Sequence, residues 1–125
     1  MGGEILVVDD DETIRQLLRH RLEGAGYRVR VCEDGRVAAD LLDDGYEPDL
    51  AVFDVMMPRL DGMRLLRMVR EGELAVRSDL PVVVLTSRGR EEHVSDGFAA
   101  GADDYVTKPF RGAELLARIG RYVSA

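Results

Sequence analysis

The chain contains 125 residues, 46% of them hydrophobic and 33% charged, and carries a net charge of −7 at pH 7. This length and composition fit one folded domain, residues 1–125, that buries about two thirds of its unfolded surface. The acidic balance argues against direct nucleic-acid binding, and apolar runs of only a few residues argue against a bilayer span, which takes roughly 20 residues.

The first strand and helix are predicted at the start of the chain. Residues Glu4–Val8 are apolar and rich in β-branched side chains, which indicates a buried strand, and three aspartates, Asp9–Asp11, follow it. From Glu12 the apolar residues recur with the period of a helix, and Gly26 ends this helix. The inner face of the helix is expected to hold Ile14, Leu17, Leu18, Leu22 and Ala25.

The second strand is predicted over Arg28–Cys32, where Arg and Val alternate. A period of two with one polar face is typical of an edge strand. The lone Cys32 cannot form an intrachain disulfide, which favours a reducing cytoplasmic location. A second helix closes near Gly45, and its apolar residues are Val37, Ala38, Leu41 and Leu42.

The third strand, Asp49–Phe53, is apolar on both faces and ends at Asp54. Taken alone, Asp54 fits a turn or helix-capping carboxylate. Pro58 and Asp61-Gly62 mark the following turn, and Asp61 is predicted to cap a third helix. The inner face of that helix is expected to carry Met63, Leu65, Leu66 and Val69.

The last third of the chain predicts two more strands and two more helices. The run Leu80–Leu85 is the most strand-like in the chain and leads into Thr86. A fourth helix is predicted over Glu91–Ala100, and a fifth strand over Asp104–Val106, before Lys108-Pro109. The last helix is expected to bury Leu115, Leu116, Ile119, Tyr122 and Val123.

Strands that alternate with helices over the whole length predict an α/β protein with a parallel sheet. Five βα units in so short a chain favour a flavodoxin-like (βα)5 three-layer sandwich with strand order 2-1-3-4-5. In this topology the carboxyl ends of the central strands meet at one edge, where ligands of such sheets bind.

Polar residues follow each central strand at that edge. They are Asp9 and Asp10, then Asp54, Thr86 and Lys108. Three close carboxylates repel by roughly 4 kcal/mol per pair at the dielectric of a protein surface, and one lysine neutralises one charge. The remainder calls for proton uptake or a hard divalent cation, and oxygen ligands favour Mg²⁺ or Mn²⁺.

The predicted site is suited to accepting a phosphoryl group. Asp10 and Asp54 are expected to bind the metal directly, with Asp9 acting from nearby, partly through water. Asp54 is then the nucleophile that forms an acyl phosphate, while the metal and Lys108 hold the phosphoryl oxygens and Thr86 donates a hydrogen bond.

Four stretches carry a family resemblance: ILVVDDD at 5–11, FDVMMP at 53–58 with Asp61-Gly62, LTS at 85–87 and YVTKPF at 105–110. Together they resemble the receiver domain of two-component response regulators over essentially the whole chain. The resemblance implies that Asp54 is the phosphoacceptor and that Asp9 and Asp10 form the acidic pair. It also implies that the Met56 main-chain carbonyl completes the magnesium ligands.

Further roles follow from the same resemblance. Thr86 and Tyr105 are implied to be the switch residues, Met56 and Arg88 to tune dephosphorylation, and Lys108-Pro109 to be a cis peptide bond. The implied function is a signalling switch rather than an enzyme with a separate substrate, with self-catalysed phosphorylation and dephosphorylation. The implied donor is a histidine kinase or a histidine phosphotransfer protein.

A homodimer is also implied, through the fourth helix, the fifth strand and the last helix. Asp103, Asp104 and Arg118 are the candidates for ion pairs across such a face. The chain is expected to be either a single-domain regulator or the receiver portion of a longer protein.

Three alternatives remain open from the residues. The run from Asp9 to Thr13 fits the Asp-x-Asp-x-Thr motif of haloacid-dehalogenase-type phosphatases, in which Asp9 would be the nucleophile. A flavodoxin-like nucleotide or flavin module is disfavoured, because acids rather than a glycine-rich loop follow the first strand. A receiver used only as a protein-binding scaffold is the third alternative.

Overall fold

A computed structural model describes residues 2–87 and 101–124. Its five strands are β1 (Glu4–Val8), β2 (Arg28–Cys32), β3 (Leu50–Asp54), β4 (Val82–Ser87) and β5 (Asp104–Lys108). All neighbouring strands pair in parallel, and their order is β2-β1-β3-β4-β5. The predicted fold class and strand order are therefore confirmed.

Four helices are present in this part of the chain: α1 (Glu12–Gly24), α2 (Gly35–Asp43), α3 (Gly62–Arg70) and the C-terminal helix (Gly112–Ile119). The fourth helix predicted over Glu91–Ala100 lies outside the described residues, as does Arg88. None of these four helices is long and apolar enough to cross a membrane.

Two apolar clusters cover the two faces of the sheet. One face of β1, β3 and β4 packs against α2 and α3, with Phe53 and Leu66 among its fully buried side chains. The other face packs against α1 and the C-terminal helix, with Leu18 and Ile119 buried there. The sheet therefore forms the middle layer of three, as predicted.

The helix faces differ from prediction at several positions. Leu17 is 44% exposed and Val37 is 39% exposed, because each lies about one residue, or 100°, away from the buried stripe of its helix. Ala25 is an exposed C-cap residue rather than part of the inner face. The C-terminal helix ends at Ile119, so that Tyr122 follows the helix and stays 37% exposed.

Strand ends also differ from prediction. β4 and β5 run on to Ser87 and Lys108, because the pairs Thr86–Thr107 and Ser87–Lys108 continue the ladder between them. Thr86 and Lys108 therefore lie inside the strands rather than after them. Asp54 is likewise the last residue of β3.

Candidate functional site

Asp9 directly follows β1 and is fully buried. One of its carboxylate oxygens accepts a hydrogen bond from the Asp11 backbone N–H at 2.9 Å, and the other accepts one from the Lys108 ammonium at 3.0 Å. The Arg15 guanidinium donates to the Asp9 carbonyl at 2.8 Å. Because both carboxylate oxygens are engaged, Asp9 is held in one orientation by groups from three parts of the chain.

Asp54 occupies the centre of the same edge. Its strand lies between β1 and β4, and the Val55 backbone N–H donates to the Leu85 carbonyl at 2.9 Å. The Asp54 residue is only 5% exposed. A Cβ atom on Gly62 would lie 2.1 Å from the Asp54 carbonyl oxygen, so the start of α3 approaches this strand end as closely as only glycine allows.

Lys108 lies between the two buried acids. Its Nζ is 3.0 Å from an Asp9 oxygen and 3.3 Å from an Asp54 oxygen. Burial alone would lower the pKa of Lys108, but the hydrogen bond to Asp9 and the charges of Asp54 and Asp9 outweigh it, and the pKa is raised. The side chain is therefore a permanent ammonium at neutral pH.

Asp10 completes an acidic cluster. It is exposed, and one carboxylate oxygen from each of Asp9, Asp10 and Asp54 lies within 4.8 Å of the others. Burial, followed by the charge of Asp9, raises the pKa of Asp54 to about 7, although Lys108 acts in the opposite direction. The cluster thus holds more negative charge than one ammonium balances, and its all-oxygen donor set fits a hard divalent cation.

The predicted switch residues lie on the adjoining strands. Thr86 is buried and comes directly after Leu85, the residue that pairs with Asp54 across β3 and β4. Tyr105 is half-buried on β5 and pairs with Val84. Thr86 therefore lies on the strand next to Asp54, and Tyr105 lies one strand further, because β4 separates β3 from β5.

The loop of residues 55–61 begins directly after Asp54, a member of the acidic cluster, and leads to α3. Its two ends are joined by a hydrogen bond from the Gly62 backbone N–H to the Val55 carbonyl at 3.1 Å. The Met56 side chain is 61% exposed. The cis peptide bond implied between Lys108 and Pro109 is present.

Two features of this edge were missed from the sequence. Arg15 reaches the Asp9 carbonyl from the first turn of α1, and Asp34 forms an ion pair with Arg59 in the 55–61 loop. Hydrophobic periodicity carries no signal for either, because both are contacts of charged side chains whose geometry depends on how the helices and loops pack around the strand ends. Asp11 caps α1, accepting from the Thr13 and Ile14 backbone N–H groups, and so acts structurally.

Comparison with known protein families identifies the class to which this fold and this site belong. The response regulator receiver domain family matches residues 5–120. The chain therefore belongs to the response regulator receiver domains, the signalling switches of two-component systems. The match gives no support to the haloacid-dehalogenase alternative.

Two of the relatives are named as response regulators. Response regulator MprA of Mycolicibacterium vanbaalenii is 49% identical over 119 residues, which cover 95% of this chain and 49% of the relative. MprA of Mycobacterium tuberculosis strain H37Ra is 46% identical over 119 residues, with 95% and 50% covered. The chain thus spans about half the length of these relatives.

Solved structures show the same fold. Response regulator DrrB of Thermotoga maritima, an OmpR/PhoB homologue, superposes with a TM-score of 0.83 at 40% identity, covering 98% of this chain and 52% of that one. The receiver domain of the sensor histidine kinase PA1611 from Pseudomonas aeruginosa superposes with a TM-score of 0.86 at 30% identity, covering 98% of each chain. That structure has a magnesium ion coordinated in its active site cleft.

Proposed function

We propose that this receiver domain, residues 1–125, is activated by transfer of a phosphoryl group from a histidine kinase or histidine phosphotransfer protein to Asp54. One observation carries the proposal: the buried Asp54 carboxylate lies within 4.8 Å of Asp9 and Asp10 oxygens and 3.3 Å from the Lys108 ammonium. An isolated turn carboxylate would not need this surrounding. A cytoplasmic location, which the lone Cys32 favours, belongs to the same proposal.

In the transfer step an Asp54 oxygen forms a bond to phosphorus while the bond from phosphorus to the donor imidazole breaks. The leaving imidazole keeps the bonding electron pair and takes up a proton. Lys108 holds one phosphoryl oxygen, and the Thr86 hydroxyl donates to another. Both groups act by positioning and charge stabilisation, which dominate phosphoryl transfer.

A divalent cation, Mg²⁺ or Mn²⁺, would be held by Asp10, Asp54 and the Met56 carbonyl, and would neutralise charge on the phosphoryl oxygens. Both carboxylate oxygens of Asp9 already accept hydrogen bonds, from the Asp11 backbone N–H and from Lys108. Asp9 would therefore act on the cation from nearby, partly through water. The acidic cluster and its oxygen donors favour this assignment.

The output of the switch is proposed to run through Thr86 and Tyr105. Movement of the Thr86 hydroxyl toward the phosphoryl group frees space for the Tyr105 ring and changes the surface at β5. A bias of a few kcal/mol between two surfaces is enough to move most of the population. Self-catalysed hydrolysis ends the signal, and Met56 and Arg88 tune its rate.

The proposed homodimer face includes β5 and the C-terminal helix. In the part of the chain that the structure describes, Arg118 pairs with Asp104 at 2.7 Å and Asp103 pairs with Arg70 at 2.9 Å, within one molecule. Ion pairs across the dimer face would therefore form in addition to these pairs or in place of them. Sedimentation before and after phosphorylation tests this, and an unchanged coefficient contradicts it.

The phosphoacceptor is tested with a small phosphodonor and magnesium, followed by mass measurement on intact protein and mapping of the labelled residue. We expect one phosphoryl group on Asp54 and none in Asp54→Asn. Asp61→Asn is the matched control, because it removes a carboxylate seven residues away while keeping the side-chain cap of α3. Full labelling of Asp54→Asn would contradict the assignment.

A further inference from the structure

Asp34 is a buried acid that lies outside the acidic cluster. Asp34, the N-cap residue of α2, is only 3% exposed. One of its oxygens accepts from the Val37 backbone N–H at 2.9 Å, and the other is bound by the Arg59 guanidinium. The Val37 N–H bond, followed by Arg59, holds the pKa of Asp34 below its usual range against the effect of burial. Asp34 is therefore a fixed anion, and its cationic partner among the described residues is Arg59.

That partner belongs to the 55–61 loop and has an unusual backbone. Arg59 has φ of 66°, the left-handed region that residues with a side chain rarely adopt. Such a conformation persists where surrounding contacts impose it, and it occurs preferentially at functional sites. The ion pair with Asp34 is a contact that can impose it, because it fixes where the Arg59 side chain must point.

A backbone contact reinforces the ion pair. A Cβ atom on Gly35 would lie 2.0 Å from the Leu60 carbonyl oxygen, so the loop presses directly on the first turn of α2. The Leu60 side chain is buried, at 5% exposure. The loop is thus closed at its base by Val55 and Gly62 and held on its outer side by the start of α2.

We propose that the ion pair between Asp34 and Arg59 positions the 55–61 loop so that the Met56 carbonyl faces the magnesium site. The pair is a positioning contact, since neither side chain belongs to the acidic cluster. This inference rests on the proposed function, because it assigns a role in the same metal site. It makes the start of α2 part of the support for phosphorylation at Asp54.

Magnesium affinity of the metal-free protein, measured by calorimetric titration, tests the proposal. Asp34→Asn keeps an N-cap acceptor for α2 but loses the charge that binds Arg59. Arg59→Gly loses the guanidinium but accepts the left-handed backbone freely. We expect each variant to bind Mg²⁺ about tenfold more weakly than the wild type, as supporting residues of metal sites do.

The double variant separates positioning from simple charge effects. If the pair positions the loop, Asp34→Asn with Arg59→Gly should weaken binding no more than either change alone. If charge acts only through space, Asp34→Asn weakens binding while Arg59→Gly strengthens it, and this opposite pattern overturns the proposal. Arg36→Ala, which removes an exposed arginine on α2, is the control and should leave affinity unchanged.

Two further readings keep this test distinct from that of the proposed function. Backbone amide NMR shifts of Met56 and Met57 in the metal-free protein should change alike in both single variants. Thermal unfolding shows that each variant is folded. If the wild type binds Mg²⁺ and both single variants bind it with the same affinity, only the positioning role is overturned. If the wild type binds no Mg²⁺, the proposed metal site is overturned and this inference with it.

Discussion

Charged side chains are balanced differently at the two ends of the parallel strands, which we call the carboxyl edge and the amino edge of the sheet. At the carboxyl edge, the Lys108 ammonium is shared between the buried carboxylates of Asp9 and Asp54, with Asp10 beside them. At the amino edge, the Arg70 guanidinium binds Asp103 at 2.9 Å and also donates to three backbone carbonyls, those of Ser78, Leu80 and Gly101.

The difference separates a structural charge from the charges of the proposed phosphorylation site. Asp103 accepts hydrogen bonds from both the Arg70 guanidinium and the Val82 backbone N–H, the latter at 2.8 Å, so its charge is balanced by the protein itself. The carboxyl edge has an excess of negative charge that a cation or a proton must balance. Removing a charge should therefore lower the free energy of unfolding at the amino edge and raise it at the carboxyl edge.

The largest effect is expected at Asp54, whose pKa is raised to about 7 by burial and by Asp9. The unfolded pKa is about 3.9, so between these values the folded state binds a proton that the unfolded state lacks. The free energy of unfolding must then fall as pH rises from about 4 to 7. The difference of about three pKa units corresponds to a total loss of about 4 kcal/mol in the free energy of unfolding.

Denaturant unfolding of the metal-free protein at pH 5 and pH 8 measures this effect. Asp54→Asn has no charge to lose, so it should be more stable than the wild type, and the gap should widen by about 2–3 kcal/mol from pH 5 to pH 8. Saturating Mg²⁺ should narrow the gap at pH 8. A stability difference between the two proteins that stays constant with pH would show that the pKa of Asp54 is not raised in the folded state.

The second effect concerns the satisfied edge. Arg70→Ala removes the donor from three carbonyls and from Asp103, and we expect a loss of about 2–3 kcal/mol because partly buried acceptors lose their partner. Arg67→Ala, on an exposed position one turn earlier in α3, should cost less than about 0.5 kcal/mol. Equal losses in the two variants would mean that the Arg70 contacts contribute little, and the contrast between edges would fail.

Much of the fold and the site could be predicted from the sequence. The spacing of hydrophobic residues is a local property of the chain, and the strand order follows from the alternation of strands and helices. The position of Asp54 at the end of an apolar run, with acids after β1, was enough to place the cluster at one edge. The pair between Asp34 and Arg59 could not be predicted, since it joins residues 25 positions apart through a loop whose shape depends on Arg59 itself. Leu17 was misplaced for a simpler reason: one residue of helical rotation decides burial.

The smallest effect tests which of the three consecutive aspartates belong to the proposed metal site. Asp11 adjoins Asp10 in sequence, yet its carboxylate accepts from the Thr13 backbone N–H at 2.8 Å as the cap of α1. Asp11→Ala should therefore cost about 1 kcal/mol of stability, the usual value of a helix cap. Asp11→Asn, which keeps the cap without the charge, should cost little and leave Mg²⁺ affinity within about twofold, since an exposed charge outside the ligand set is largely screened. A tenfold loss of Mg²⁺ affinity in Asp11→Asn would place the third aspartate in the metal site, and the boundary between structural and functional charge would then fall between Asp11 and the start of α1 rather than between Asp10 and Asp11.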